Sequence, residues 1–173
     1  MRGDGTLPIG EAMHPAVLAA VGVLILNDWV WKPWARPGGW QAAVTGKLSD
    51  LAGLAAAPVV LTAVVGLGLW IARRAGAPVE PALTRRRLLA AIAATGAGFT
   101  AIKLSPTAAG WFTAAIGLVR SAAVAPDRTD LLCLPMLGVA YLAGRDELRR
   151  LGSSVGARLR SPASPTGARA GRP

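Results

Sequence analysis

The feature that most constrains the fold is an unbroken apolar segment covering residues 51–72. As an α-helix its roughly 22 residues would rise about 33 Å, which is enough to cross the hydrocarbon core of a bilayer. The segment follows directly on residues 45–50, Thr-Gly-Lys-Leu-Ser-Asp, so a lysine and a carboxylate three residues apart stand at its start. This pattern predicts a membrane-spanning helix with ionisable side chains at one end.

Composition places the rest of the chain in the same class. Of the 173 residues, 53% are hydrophobic and only 16% are charged, whereas a soluble domain of this size carries more charge and shorter apolar runs. We therefore expect an all-α fold, an integral membrane four-helix bundle with short interfacial segments. Residues 1–13 are predicted to be a cytoplasmic N-terminal segment, residues 14–144 the transmembrane domain, and residues 145–173 a basic, largely disordered cytoplasmic tail.

Four apolar segments are predicted to span the bilayer. They cover residues 16–31, 51–72, 88–102 and 131–144. Tryptophan, proline and glycine in residues 32–46 indicate an interfacial loop between the first two spans. Residues 107–119 are too few to span and are predicted to be interfacial or re-entrant, with the interfacial arrangement favoured. The tail is expected to begin as a helix through Leu151.

The net charge of +10 is concentrated in arginine-rich stretches beside the apolar segments. Short basic loops of this kind mark the cytoplasmic side of a membrane protein. Residues 73–87 and the C-terminal tail are therefore expected in the cytoplasm, which places both termini there in a multi-pass protein of a bacterial inner (plasma) membrane. The same pattern explains the basic charge without nucleic acid, which is not expected as a partner.

Cys133 and His14 are the only cysteine and the only histidine. An intrachain disulfide and a thiolate metal cluster are therefore impossible, and zinc sites that need two histidines from one chain are excluded. Under the expected topology His14 lies at the cytoplasmic face, away from the polar side chains considered next. Catalysis, metal use and cofactors stay open.

Polar side chains at the ends of all four predicted spans fall on the extracytoplasmic side. Candidate catalytic or metal-ligating acids are Asp28, Asp50 and Asp130, and candidate ligand-binding residues are Asn27, Lys32, Lys47, Ser49, Lys103, Ser105 and Arg128. Because ionisable residues at membrane depth are costly and usually face a partner or a cavity, we expect these side chains to converge. Each of them could also simply cap a helix or anchor its end at the interface.

Three functions suit such a cluster. Mixed lysine, arginine and aspartate suits a phosphate-type anion, with or without a divalent ion on the aspartates; this predicts a site for an anionic or lipid-linked cell-envelope ligand, with membrane lipids as the surroundings. A small-ion or solute transporter built as a homo-oligomer is the second possibility, since Gly53, Gly66 and Gly68 permit close helix approach. A non-catalytic assembly protein with self-neutralising ion pairs is the third.

Several motifs resemble a group of uncharacterised bacterial four-span membrane proteins. They are Leu-Asn-Asp at 26–28 with Lys32, Thr-Gly-Lys-Leu-Ser-Asp-Leu-Ala-Gly-Leu at 45–54 with Pro58, Lys-Leu-Ser-Pro at 103–106 and Asp-Arg-Thr-Asp-Leu at 127–131. The resemblance covers residues 14–144, is most specific over 45–54, and implies a four-span bundle without an agreed activity.

More distantly, the layout is similar to the VanZ-like family, in which an Asp-Lys motif opens the second span and an Arg-then-Asp motif opens the fourth. Lys47 and Asp50 stand in the reverse order here, and the histidine expected after that pair is absent. Gly138 matches a glycine of the fourth span, while the asparagine before it is missing. This resemblance implies a role in the cell envelope.

Overall fold

The computed structural model describes residues 7–118, 124 and 126–160. The α-helices are α1 (Pro15–Leu26), α2 (Lys32–Trp34), α3 (Trp40–Arg74), α4 (Arg85–Leu104), α5 (Pro106–Gly117) and α6 (Leu137–Arg160). Two 3-10 helices complete the described structure: the N-terminal turn (Gly10–Met13) and the 3-10 segment (Arg128–Met136). Regular structure in the described ranges is helical throughout, which confirms the all-α prediction.

Within the described ranges, three helical stretches are long and apolar enough to cross a membrane: Pro15–Trp34, Trp40–Arg74 and Arg85–Leu104. The first is α1 continued through a π-helical turn, Asn27–Trp31, into α2. The helix starts at Pro15, a position where a backbone N–H would have no partner within the helix, and proline has none. His14 caps this end, because its Nδ1 accepts from the backbone N–H of Ala16 at 3.2 Å.

The prediction of an interfacial loop over residues 32–46 is wrong in its second half, because α3 already begins at Trp40. Gly38, with φ of 75°, turns the chain, and no proline follows until Pro58. Gly46 and Gly53, which lie before that proline, each cost only about 1 kcal/mol in a helix interior. As a result, residues 45–50 lie inside a 35-residue helix rather than at its mouth.

The predicted third span, residues 88–102, is too short. Thr84 caps α4 by accepting from the backbone N–H of Arg87 at 3.2 Å, so the helix starts at Arg85 and runs for 20 residues. That length corresponds to about 30 Å. Lys103 consequently lies in the last turn of a helix of spanning length.

The predicted fourth span differs in form. Residues 128–136 wind as a 3-10 helix around Pro135, which has no N–H for an α-helical bond, and α6 begins only at Leu137. The helix then continues to Arg160, well past the predicted end at Leu151. The tail predicted to be disordered lies, over residues 161–173, outside the described residues.

Two other segments were predicted, one after α4 and one at the N-terminus, and the structure describes each of them only in part. The helix α5 occupies the segment predicted to be interfacial or re-entrant, whose last residue lies outside the described ranges. Residues 1–6 of the predicted N-terminal segment lie outside them as well. Residues 7–13 include the N-terminal turn, which contacts α3 and α6.

Helix α3 is central and contacts α1, α4 and α6. The core around it is built from small and β-branched side chains, namely Val17, Ala56, Val59, Ala140 and Ala143. Small residues let helix backbones approach closely, which is how helices associate where burial from water contributes little.

The packing of α4 on α6 depends on Gly144. A Cβ added there would lie 2.5–3.1 Å from three side-chain carbons of Leu88, and Leu88 is fully buried and cannot swing aside. We expect Gly144→Ala to lower the free energy of unfolding by about 1–3 kcal/mol through overpacking, measured by denaturation in detergent. Gly98→Ala, where a Cβ meets nothing within 4 Å, should be neutral or stabilising; equal losses at both glycines would contradict this packing.

Candidate functional site

The candidate polar residues lie at one end of the bundle. The π turn after α1, the first turns of α3, the last turn of α4 and the start of the 3-10 segment all reach this end. We call the ion-paired side chains of these elements the charged cluster; it has a buried centre, an exposed mouth and a side branch.

The buried centre is Lys103, which is only 7% exposed. Its Nζ donates to Asp50 Oδ2 at 2.7 Å and to Asp130 Oδ2 at 2.6 Å. The ammonium also lies 5.3 Å from the centroid of the Phe99 ring, within the range of a cation–π contact. One cation from α4 therefore joins a carboxylate of α3 to a carboxylate of the 3-10 segment.

The mouth is formed by Lys47, whose side chain is 43% exposed. Its Nζ donates to Asp130 Oδ1 at 2.8 Å and to Thr129 Oγ1 at 2.7 Å, and lies 3.9 Å from Asp127 Oδ2. Asp130 thus bridges Lys47 at the surface to Lys103 below. The chain Asp50–Lys103–Asp130–Lys47 joins the partly exposed Asp50, through the buried Lys103 and Asp130, to the exposed Lys47.

Asp127 fixes the start of the 3-10 segment beside the mouth. Its Oδ1 accepts from the backbone N–H and from the hydroxyl of Thr129, both at 2.8 Å. These two bonds hold the pKa of Asp127 below its usual range. The carboxylate is therefore ionised at neutral pH, and the turn presents Thr129 to Lys47.

The side branch joins α1 to α3 through Asn27, which is fully buried. Its Nδ2 donates to the carbonyl of Thr45 and to Ser49 Oγ, each at 2.7 Å. The Ser49 hydroxyl donates to Asp28 Oδ1 at 2.8 Å. That carboxylate oxygen also lies 2.7 Å from Lys32 Nζ, four residues along the chain. Asn27 and Asp28 sit on the π turn, a deviation that is frequent at functional sites.

Two candidates lie apart from these contacts. Ser105 is the N-cap of α5, where its hydroxyl accepts from the backbone N–H of Ala108 at 3.3 Å. Arg128 is exposed on the first turn of the 3-10 segment, between two residues that contact Lys47. The predicted set therefore divides into two bonded groups, one around Lys103 and Lys47 and the other around Asn27 and Asp28, with a helix cap and an exposed cation beside them.

The charges of the cluster, counted with Arg128, balance, and Arg36 between α2 and α3 is a further cation at this end. Four carboxylates, Asp28, Asp50, Asp127 and Asp130, stand with four cations, Lys32, Lys47, Lys103 and Arg128. Among the described residues, no three cysteine, histidine or acidic side chains converge in a way that could hold a metal ion. These contacts form a network of lysine and aspartate side chains. Of the two lysines at the centre and the mouth, Lys103 is buried and Lys47 has an accessible ammonium.

An apolar cleft of about 530 Å³ adjoins the side branch. Trp31, Trp34, Trp40, Val44 and Leu48 contribute to its walls. At about 100° per residue, Asp50 lies on the far side of α3 from Val44 and Leu48. The cleft therefore does not open onto the buried ion pairs.

Sequence reasoning missed three contributors to the network. Thr45 contributes its backbone carbonyl, Thr129 its hydroxyl and Asp127 the carboxylate that orders the turn. The Asp-Arg-Thr spacing at 127–129 is a turn signal that could have identified the last two. A backbone carbonyl carries no such signal, because every residue has one.

Compared with protein-family models, curated proteins and solved structures, the chain matches none of them, so the fold and the geometry of the charged cluster carry the functional argument.

Proposed function

We propose that this chain is a four-span protein of a bacterial inner membrane with both termini in the cytoplasm. The charged cluster then faces the extracytoplasmic side, where it binds the anionic group of a lipid-linked cell-envelope ligand. The observation that carries the proposal is Lys47: its ammonium is accessible at the mouth and is joined through Asp130 to the buried Lys103.

The mouth offers an anion a defined place. Lys47 holds Asp130 and Thr129 tightly, at 2.8 and 2.7 Å, while Asp127 is more distant at 3.9 Å. A phosphate oxygen takes the place of Asp127 beside the ammonium, and the neighbouring Arg128 supplies a second cation with a fork of donors suited to phosphate. Because Asp130 is also paired with the buried Lys103, part of its negative charge is neutralised. The carboxylate therefore repels the incoming anion less strongly.

A lipid-linked ligand also fits the surroundings of the mouth. The helices that carry Lys47 and Lys103 have spanning length and apolar composition, so the ligand's hydrocarbon chain stays in the bilayer while its charged group reaches the bundle end. A water-soluble anion lacks this anchor, whereas partitioning of the tail into the bilayer, at about 0.8 kcal/mol per methylene removed from water, concentrates a lipid-linked anion beside the bundle end.

Substitution of the mouth lysine tests the proposal. We expect Lys47→Met to weaken binding of a polyprenyl phosphate by about tenfold or more, because a charge-assisted hydrogen bond to the phosphate is lost. Binding is measured by native mass spectrometry of the detergent-solubilised protein. The uncharged polyprenol of equal chain length should bind the parent protein and the variant equally weakly.

The matched control is Lys32→Met, the same change at the same bundle end but in the Asp28 pair of the side branch. It should leave binding of the polyprenyl phosphate within about twofold of the parent value. Equal losses in both variants, or equal affinity for the phosphate and the alcohol, would contradict a site at Lys47. Equal competition by inorganic phosphate would identify the ligand as a free anion rather than a lipid.

The charge balance favours one second candidate, a non-catalytic assembly protein in which the cluster only locks the helices together. Under that function the ion pairs stay closed and no anion competes for Lys47. The phosphate-binding measurement separates the two, because an assembly lock predicts no preference for the polyprenyl phosphate over the polyprenol.

A further inference from the structure

The opposite end of the bundle holds a buried carboxylate that the proposed function does not use. Glu11, on the N-terminal turn, is 2% exposed, the lowest value of any charged side chain in the part of the chain that the structure describes. The turn contacts α1, α3 and α6, and neighbouring Ala12 packs against the core around Val17 and Val59. Docking of the turn on the bundle is what buries Glu11.

The buried carboxylate is only partly satisfied. The Thr62 hydroxyl of α3 lies beside it but donates to the carbonyl of Val59 at 2.8 Å, and Oε1 of Glu11 is buried without a hydrogen-bond partner. Two charged groups face it: Arg87 of α4 and Glu147 of α6. Arg87 donates through Nη2 to the carbonyl of Pro81 at 2.9 Å, while its Nε is buried without a hydrogen-bond partner, and it does not approach Glu11 within ion-pair distance. A buried carboxylate without an ion pair is unstable in its charged form.

Glycines make this close docking possible. A Cβ at Gly66 would lie 2.9 Å from the carbonyl oxygen of Pro8 and 3.3 Å from that of Pro81. A Cβ at Gly10 would collide with the carboxylate of Glu147. The turn is therefore seated by backbone contact, which brings a second carboxylate towards Glu11.

We propose that Glu11 is a proton-binding site that controls docking of the N-terminal turn. The protonated side chain keeps the turn seated between α3 and α6, and loss of the proton to water releases it. The bond that breaks is the carboxyl O–H of Glu11, and no other group is consumed.

The direction of the pH dependence follows from the surroundings. Burial raises the pKa of Glu11 above its ordinary value, and the charge of Glu147 adds to this, while the backbone N–H of Glu11, the nearby Thr62 hydroxyl and the charge of Arg87 oppose it. The docked turn therefore holds the proton more tightly than the released turn. Docking is fully favoured below the ordinary pKa of a glutamic acid, and it weakens as pH rises through the higher pKa of the docked state.

One other ionisable side chain lies at this junction: His14 Nε2 is 3.7 Å from a carboxylate oxygen of Asp146 in α6. The experiment must therefore separate His14 from Glu11.

The test measures how accessible the seated face of the turn is as a function of pH. Both reporter variants are made in the full chain with Cys133→Ala. In the first, Ala12→Cys reports docking of the turn through the rate at which maleimide labels it. In the second, Leu7→Cys, at an exposed position, gives the reference rate that corrects for thiol ionisation. The ratio of the two rates should rise several-fold between about pH 5 and about pH 8, the range in which a buried glutamic acid can titrate.

Three variants decide the outcome. Glu11→Gln should keep the ratio low throughout, His14→Gln should leave the rise in place, and Glu147→Gln should move the rise to lower pH. A constant ratio in the parent chain, a rise that persists in Glu11→Gln, or a rise that His14→Gln abolishes would overturn the proposal. If Glu11→Gln does not fold, Glu147→Gln still tests the proposal. A labelling ratio that rises at the same pH in Glu147→Gln as in the parent chain would contradict a proton on Glu11.

Discussion

Replacing Lys103 with methionine is expected to lower the free energy of unfolding by about 3–5 kcal/mol, because the change leaves the partly buried Asp50 without its cation and the buried Asp130 with Lys47 alone. Asp50 and Asp130 are held 2.7 and 2.6 Å from the Lys103 ammonium. Methionine matches the length of the lysine stem, so the loss reports charge rather than volume. The measurement is equilibrium unfolding in detergent micelles.

Two comparisons make this result specific. Combining Lys103→Met with Asp50→Asn and Asp130→Asn should recover more than half of the loss, since a buried ion network replaced as a whole is often close to neutral. Lys32→Met, which removes an exposed i,i+4 partner of Asp28, should cost less than about 1 kcal/mol. A loss at Lys103 no larger than that at Lys32 would show that the centre of the charged cluster is not closed as described.

The second large effect is expected at Asn27. Asn27→Asp keeps the size of the side chain but removes both donors, so an acceptor faces the Thr45 carbonyl where a 2.7 Å hydrogen bond stood. It also removes the bond to Ser49. We expect a loss of about 3 kcal/mol in unfolding free energy, since a buried site left with opposed acceptors incurs the full desolvation penalty.

The matched control for this change is Gln41→Glu, the same kind of amide-to-acid replacement at a partly exposed position on α3. It should stay within about 0.5 kcal/mol of the parent protein. If Asn27→Asp is tolerated as well as Gln41→Glu, then the side branch does not fasten α1 to α3.

Apolar runs predicted the helices well and their ends poorly. Residues 51–72 form a helix as expected, because no alternative satisfies the backbone of so long an apolar segment. The start at Trp40 was missed because Gly46 and the tryptophans looked like a loop. The tertiary contacts that outweigh one glycine, such as Thr45 against Asn27, are not visible in local sequence.

Partner choice within the cluster was predictable only where it is local. The contact of Asp28 with Lys32 follows from i,i+4 spacing on a helix. The sharing of Lys103 between Asp50 and Asp130 depends on how three elements are rotated about their axes, which a single sequence does not specify. The charged side chains were expected to converge because an unpaired charge in a membrane is costly. Which of them pair with each other depends on the three-dimensional packing of the elements.

The burial of Glu11 was not predicted from the sequence at all. Residues 1–13 look like a polar end segment by composition, so nothing marked one acid among them as special. Its burial comes from the seating of the N-terminal turn against Gly66 and α6. A signal existed in hindsight, because Ile9, Ala12 and Met13 surround the acid with apolar residues.

The most direct test of the charged cluster is a double-mutant cycle that joins Lys103→Met and Asp130→Asn. The two side chains come from different elements and meet at 2.6 Å, so their effects on the free energy of unfolding should not add. We predict a coupling free energy of about 1–3 kcal/mol in favour of the pair. Additive losses, with a coupling indistinguishable from zero, would contradict a network built on these two residues.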